Sequence, residues 1–243
     1  MQEILKGKPV VDELREQRKA QVKEAGREIT LAIVLVGDDP ASHYYKDHLV
    51  KLAATIGVTT KVCTLPGNAS TEEVVALLVQ LNDDGAIDGI LPMMPMPKQI
   101  NAGMIEESIS PRKDIDCLNP ENAGLLYLGK SQWGPATAMA VMYTLKYYDI
   151  SLQGKRVVIL GRSNVVGKPL IPMMLAENAT VTLCHSKTVN LPEIARQADV
   201  LVVAIGAKEF VTPDMVKNNA VLIDVGINET ENGMVGDIHP SAY

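Results

Sequence analysis

The sequence predicts an α/β fold, with two α/β domains flanking a cleft. Three observations predict it. Short apolar runs such as Leu31–Val36 and Val157–Leu160 read as strands buried on both faces. Between the runs lie segments with helical spacing and capping residues, so strands and helices alternate. Alternation of that kind argues for parallel pairing through right-handed crossovers, with ligands at the carboxyl ends of the strands. The pattern lapses once, over Pro120–Pro135, which reads as irregular and as the junction between domains spanning 1–120 and 121–243.

The elements follow in order. Val11–Ala25 carries charges at helical spacing and reads as a surface helix. The strand Leu31–Val36 ends at Gly37-Asp38-Asp39-Pro40. A helix then runs to about Ile56 and stops at Gly57, with Ser42 as its expected N-cap. Val58–Leu65 is the next strand. Thr71–Leu81 is a helix capped by Ser70 or Thr71, with Glu72 and Glu73 where the helix dipole favours them. Ile87–Leu91 is a strand that ends in Pro92-Met93-Met94-Pro95-Met96-Pro97, a run that no helix or central strand accepts. A short helix near Ala102–Glu107 leads to the polar loop Ser110–Asp116. Ala136–Tyr148 reads as a helix joining the halves. Strands follow at Val157–Leu160, Thr180–Cys184, Val200–Ile205 and Val221–Val225, with helices from about Gly167 and over Pro192–Ala198.

One stretch of the second half carries chemistry. Val157-Val158-Ile159-Leu160 runs into Gly161-Arg162-Ser163-Asn164-Val165-Val166-Gly167-Lys168-Pro169, a strand feeding a helix N-terminus. Backbone N–H groups and the positive end of the helix dipole converge there, so the turn suits a phosphate. Gly161 lets the turn close and Gly167 lets helix and strand approach. The spacing is G-x-x-x-x-x-G rather than G-x-G-x-x-G, and spacing alone leaves an ordinary tight turn open. The next strand ends where a ribose-reading residue belongs, at His185-Ser186-Lys187-Thr188. A carboxylate would suit NAD. A hydroxyl with a cation suits the 2′-phosphate of NADP, and Arg162 can add a second positive charge. The C-terminal domain is thus expected to be a Rossmann-like parallel sheet.

Composition bounds the rest. Hydrophobic residues are 47% and charged residues 21% of the chain, the balance of a globular protein. Net charge is −6 with no sizeable basic cluster, which argues against nucleic acid as a partner. Cys63, Cys117 and Cys184 form no C-x-x-C and read as reduced thiols of a cytoplasmic protein. The N-terminus lacks the apolar stretch of a signal peptide, and no apolar run reaches bilayer length, so no membrane association is expected. His239 beside Asp237 is too little for a metal site, and none is expected.

At this point the motifs accumulate into a resemblance. Gly161-Arg162-Ser163-x-x-Val166-Gly167-x-Pro169, Cys184-His185-Ser186-Lys187-Thr188 and Asp224-Val225-Gly226-Ile227-Asn228 occur in order. The first half adds Val36-Gly37-Asp38-Asp39-Pro40-Ala41-Ser42-x-x-Tyr45, Pro95-x-Pro97 and Lys113-Asp114-Ile115-Asp116. Over nearly its whole length the chain resembles the methylenetetrahydrofolate dehydrogenase/methenyltetrahydrofolate cyclohydrolase family. The resemblance implies a tetrahydrofolate one-carbon substrate, NADP rather than NAD on the C-terminal domain, and a homodimer. It implies Tyr45 and Asp116 as catalytic residues, with Met93 and Pro95 beside them at the substrate. Asp116 would take the amino-pyrimidine edge of the pterin, and Asp114 would be structural. It implies cofactor contacts from Gly161, Arg162, Ser163, Val166 and Gly167, from Ser186 and Lys187, and from Gly206, Gly226 and Ile227.

The chain also departs from the family pattern. The family's cyclohydrolase centre has a Lys four residues after the Tyr; here that position is Leu49. The Gln that supports the Lys falls on Met93. The family's P-C-T-P reads Pro135-Ala136-Thr137-Ala138, and the Gly after the Asp-x-Asp motif is Cys117. The family's PVPGG loop and final helix are missing, so either the gene product is short or the sequence omits a tail. Hydride transfer chiefly needs donor and acceptor held in line. Hydrolysis of the methenyl cation needs water activated and protons moved, which Leu49 and Met93 do not do. The expectation is an NADP-dependent dehydrogenase with weak or lost cyclohydrolase activity. The rivals are a bifunctional enzyme with a substituted group and a non-catalytic binding paralogue. His48 and Lys51 flank position 49 but point about 100° and 200° away from it on a helix.

Overall fold

The computed structural model describes residues 3–131, 133–231 and 233–243. It divides into two compact units, residues 6–123 and residues 124–243, with residues 3–5 assigned to the second.

The first unit is a three-stranded parallel sheet. Its elements are α1 (Gly7–Glu24), β1 (Ile29–Val36), α2 (Pro40–Thr55), β2 (Val58–Leu65), α3 (Thr71–Asp83), β3 (Gly89–Pro92), α4 (Ala102–Ser108) and α5 (Pro120–Tyr127), the last running into the second unit. The strand order is β2-β1-β3. Central β1 is apolar from Leu31 to Val36 because both of its faces are covered there. Ala32, Val34 and Val36 join Val74, Leu78 and Leu81 of α3 and Ile105 of α4 in one core. Ile33 and Leu35 point the other way, to Met93 and to Leu49 and Val50 of α2. Pro92 is tolerated because β3 is a sheet edge and Pro92 its last residue.

Three sequence expectations are corrected here. The N-cap of α2 is Asp39, not Ser42: its Oδ2 accepts from the Ser42 N–H at 2.8 Å, and Pro40 occupies the first helical turn, where its missing N–H is harmless. The start of the stretch read as irregular over Pro120–Pro135 is the helix α5. Pro120 opens it, and the Asn119 side chain accepts from the Glu121 N–H at 2.8 Å, so the proline begins a helix rather than breaking one. Gln132, in the same stretch, lies outside the described residues. The surface helix α1 begins at Gly7, ahead of the expected Val11.

The second unit holds α6 (Ala136–Tyr147), β4 (Arg156–Leu160), α7 (Gly167–Ala176), β5 (Thr180–Cys184), α8 (Leu191–Ala195), β6 (Val200–Val203), β7 (Val221–Asp224) and an antiparallel pair, β8 (Asn228–Thr230) and β9 (Gly233–Val235). The four main strands are parallel in the order β5-β4-β6-β7. The chain steps from β4 out to β5 and then crosses back over β4 to β6, so the order reverses beside β4, the place where open α/β sheets bind ligands. Val158, Leu160, Leu201 and Val203 pack with Cys184, Val211 and Ile238 on one face. Val157, Ile159, Val200 and Val202 are equally buried. Among the described residues no helix is long and apolar enough to cross a membrane.

Candidate active site

In the first unit the expected substrate residues gather at the carboxyl end of the sheet. Tyr45 lies on α2 and is 54% exposed. Its hydroxyl pKa is raised, first by burial of the ring and then by the negative charge of Asp116, which brings those two residues into one neighbourhood. The Asp116 loop is held from three sides. Ile115 sits on Gly89, where a Cβ would collide with it. Lys113 Nζ donates to the carbonyls of Leu81 (2.9 Å) and Asp84 (2.8 Å). Buried Asp114 accepts from the N–H groups of Leu118 (3.0 Å) and Asn119 (2.9 Å) and from the Asn122 side chain (2.8 Å). Asp114 therefore fastens the loop from within, while partly exposed Asp116 stands beside Tyr45.

Position 49, one helical turn after Tyr45, shares its face of α2. Leu49 packs against the cluster of Ile33, Leu35 and Met93. Met93 directly follows β3, is 5% exposed, and donates its N–H to the Val34 carbonyl at 2.8 Å. Met94 and Pro95 beyond it are exposed and joined by a cis peptide bond. His48 and Lys51 are both exposed, and Lys46 pairs with Asp47 at 2.8 Å. Cys117, where the resembled family has glycine, sits at φ +54°, the left-handed region that glycine favours. Burial, and then the charges of Asp114 and Asp116, push its thiol up to about 11.

In the second unit the turn between β4 and α7 is closed by its glycines. Gly161 has φ +116°, and a Cβ there would overlap the Ala204 carbonyl. A Cβ on Gly167 would overlap the Gly161 carbonyl, so the first residue of α7 rests on the turn that precedes it. Ser163 shapes the same turn: its Oγ accepts from the Val166 N–H at 3.1 Å and its carbonyl from the Lys168 N–H at 3.1 Å. Val166, at the N-cap of α7, supplies no side-chain acceptor to the first helical turn. The Lys168 N–H is taken by the turn and Pro169 has none, so what the helix start offers an exogenous anion is the positive end of its dipole and the Gly167 N–H. Arg162 is exposed at that turn.

The other expected nucleotide residues lie along the same edge of the sheet. Ser186 and Lys187 are exposed in a turn at the end of β5, where His185 Nδ1 accepts from the Lys187 N–H at 3.1 Å. His185 is thereby a turn-former. Gly206 (φ +62°) follows β6, and Gly226 and Ile227 follow β7, Ile227 at 74% exposure.

Sequence reasoning missed what holds those last two turns. Asp237 is completely buried. Its Oδ2 accepts from the N–H groups of Ile205 (2.8 Å) and Gly206 (2.9 Å). Its Oδ1 accepts from the Ala207 N–H (2.8 Å) and the Asn228 side-chain amide (2.9 Å). Asp224 reciprocates, accepting from the N–H groups of Gly226, Asp237 and Ile238, each at 3.0 Å. Gly226 has no room for a Cβ against the Asp237 carboxylate, nor Gly236 against that of Asp224. The glycine at 226 was legible as a motif; its cause, a buried carboxylate eleven positions on, was not. His239 Nδ1 is engaged by Ser241, with Oγ at 2.6 Å.

Comparison with known proteins follows the same division. The family profile described as the catalytic domain of tetrahydrofolate dehydrogenase/cyclohydrolase matches residues 5–116, and the one described as its NAD(P)-binding domain matches residues 135–243. The chain is 44% identical over 241 residues to the bifunctional protein FolD of Lactobacillus delbrueckii subsp. bulgaricus, covering 98% of this chain and 85% of that one. The crystal structure of the bifunctional enzyme FolD from Campylobacter jejuni superposes with a TM-score of 0.89 at 41% identity, covering 96% and 83% of the two chains. A Trypanosoma brucei methylenetetrahydrofolate dehydrogenase-cyclohydrolase, complexed with NADP cofactor and inhibitor, superposes with a TM-score of 0.86 at 32% identity, covering 96% and 82%.

Proposed function

The chain belongs to the tetrahydrofolate dehydrogenase/cyclohydrolase family, and from that premise we propose that it oxidises 5,10-methylenetetrahydrofolate to 5,10-methenyltetrahydrofolate with NADP, its cyclohydrolase activity being weak or lost. The glycine-closed turn before α7 suits a dinucleotide: Gly161 and Gly167 press against the backbone carbonyls of Ala204 and Gly161 with no room for a Cβ, and the helix start carries no side-chain cap. Exposed Ser186 and Lys187 at the end of β5 favour a 2′-phosphate, hence NADP over NAD. When bound, NADP supplies the acceptor for one hydride. The chain's own part is to orient. Tyr45 packs against the pterin with its hydroxyl protonated, Asp116 accepts from the pyrimidine edge, and Pro95 and Met93 bound the substrate on the β3 side. No side chain has to exchange a proton for the hydride to leave the folate carbon.

The observation that carries the split is the packing of Leu49 against the cluster that contains Met93. The two positions where the family has Lys and Gln belong to one apolar patch, one helical turn from Tyr45. Such a patch neither activates water nor protonates the folate nitrogen. A steady-state assay with methylenetetrahydrofolate and NADP tests the proposal. Methenyl product accumulates and then decays at the buffer rate. Rapid catalysed decay would refute the split, and nucleotide binding without turnover would refute the dehydrogenase. The same reading includes a homodimer, tested by sedimentation, and a cytoplasmic location, supported by three unbridged cysteines.

A further inference from the structure

We propose that Asp237 is a positioning residue for the nicotinamide half of the dinucleotide, acting by fastening the turns after β6 and β7 into one rigid seat. The inference rests on the nucleotide reading above and goes beyond it to a residue that contacts no ligand. Strand order sets the geometry. Neighbouring strands lie about 4.8 Å apart, so the ends of β5 and β7, three spacings apart, are roughly 14 Å from each other, a span suited to a dinucleotide. Ser186 and Lys187 mark the phospho-adenosine end on β5, and the turn after β4 takes the pyrophosphate. The remaining half then falls on the ends of β6 and β7, at Gly206 and at Gly226-Ile227.

One carboxylate ties the two turns to each other, while Asp224 braces the second through the Gly226 N–H. Asp237 has 0% exposure, accepts three consecutive backbone N–H groups from residues 205–207, and accepts the Asn228 amide from the segment after β7. Four donors on a buried carboxylate leave neither turn free to shift alone. Gly226 lies directly against the carboxylate, so its backbone height is set by Asp237 too. The amide hydrogens of 205–207 are spent on the protein, so what the turn offers a ligand is shape rather than donors.

The test compares a whole dinucleotide with half of one. Wild-type protein, Asp237→Asn and Asn228→Ala are titrated with NADPH, followed by nicotinamide fluorescence, and with 2′,5′-ADP, followed by competition. In Asp237→Asn the KM for NADP and the NADPH dissociation constant are expected to rise at least tenfold and kcat to fall, with 2′,5′-ADP affinity within twofold of wild type. Asn228→Ala removes the amide that links Asp237 to the second turn, along with its longer contact to the Val235 carbonyl at 3.4 Å, and keeps the carboxylate, so it is expected to show the same selective loss at three- to tenfold. It decides the matter if Asp237→Asn does not fold. Equal loss of both ligands, or no loss of NADPH in Asn228→Ala, overturns the positioning role. A wild-type protein that binds 2′,5′-ADP no better than adenosine overturns the nucleotide reading itself, and is recognised before any variant is made.

Discussion

Restoring a lysine and a glutamine to the apolar patch beside Tyr45 should restore hydrolysis. Leu49→Lys alone removes a partly buried leucine from the cluster of Ile33, Leu35 and Met93. Full burial of such a side chain is worth about 1.5–3 kcal/mol, so about 1 kcal/mol is at stake, part of it recovered by the lysine stem. Met93→Gln alone is harsher. The site is 5% exposed, and an amide buried there without a partner costs about 1–3 kcal/mol beyond the lost packing. Together the new groups supply each other: the glutamine oxygen accepts from the ammonium, a charged hydrogen bond worth about 1.5–3 kcal/mol. The double variant is therefore expected to be more stable than the sum of the singles by about 1–2 kcal/mol, measured as a double-mutant cycle in urea. Its chemistry is read from the decay of methenyltetrahydrofolate absorbance. A positioned acid–base group contributes about 10²–10⁴-fold, so decay should outrun both wild type and Leu49→Lys by at least tenfold. A folded double variant whose decay stays at the buffer rate would show that this patch is not the vacated centre.

Three further outcomes are expected. Gly167→Ala, whose Cβ would overlap the Gly161 carbonyl, should abolish nucleotide binding or folding, whereas Gly206→Ala, with φ +62° and open space around it, should cost only about 1 kcal/mol of backbone strain in a thermal melt. Asp114→Ala strands three donors under the Asp116 loop and should lower stability by about 3 kcal/mol in urea while weakening folate binding. The Cys117 thiol is raised from an ordinary value near 9 to about 11 in the fold, so its contribution is complete below pH 9 and is lost as pH climbs through 11. Between those limits wild type should lose up to about 1.4 kcal/mol per pH unit relative to Cys117→Ala, and parallel pH curves for the two proteins would contradict the shift.

Much of this architecture was legible in the chain because local rules and packing agree. Buried strands such as Leu31–Val36 and Val157–Leu160 are apolar for the whole of their buried length, and the Ser70–Glu73 capping box marks the start of α3 within one residue. Where local signals compete, the reading slipped. Asp39 and Ser42 are both good N-caps, and the choice fell to Pro40, which suits the first turn only if Asp39 precedes it. Pro120 breaks a helix or begins one, depending on whether Asn119 can reach the Glu121 N–H. The pair β8 and β9 is too short for periodicity to register. At the site, Tyr45, Leu49 and Met93 could be named from motifs, but that Leu49 packs into the cluster around Met93 is a tertiary fact. Asp237 lay furthest from view: three of its four donors belong to residues about thirty positions earlier.

The crossed clasp of Asp224 over Gly236 and Asp237 over Gly226 has a consequence for tolerance of insertion. The chain leaves the sheet after Asp224 and comes back against the Asp224 carboxylate at Asp237 and Ile238, with the clasp closing the base of the excursion. Its tip, around exposed Glu231 and Gly233, is insulated from the strand ends by that closure. Lengthening a closed loop adds only about 0.6 kcal/mol for each doubling. A reporter peptide spliced at the tip is thus borne by the hairpin alone, which makes it a natural port for labels on an otherwise tightly determined sheet.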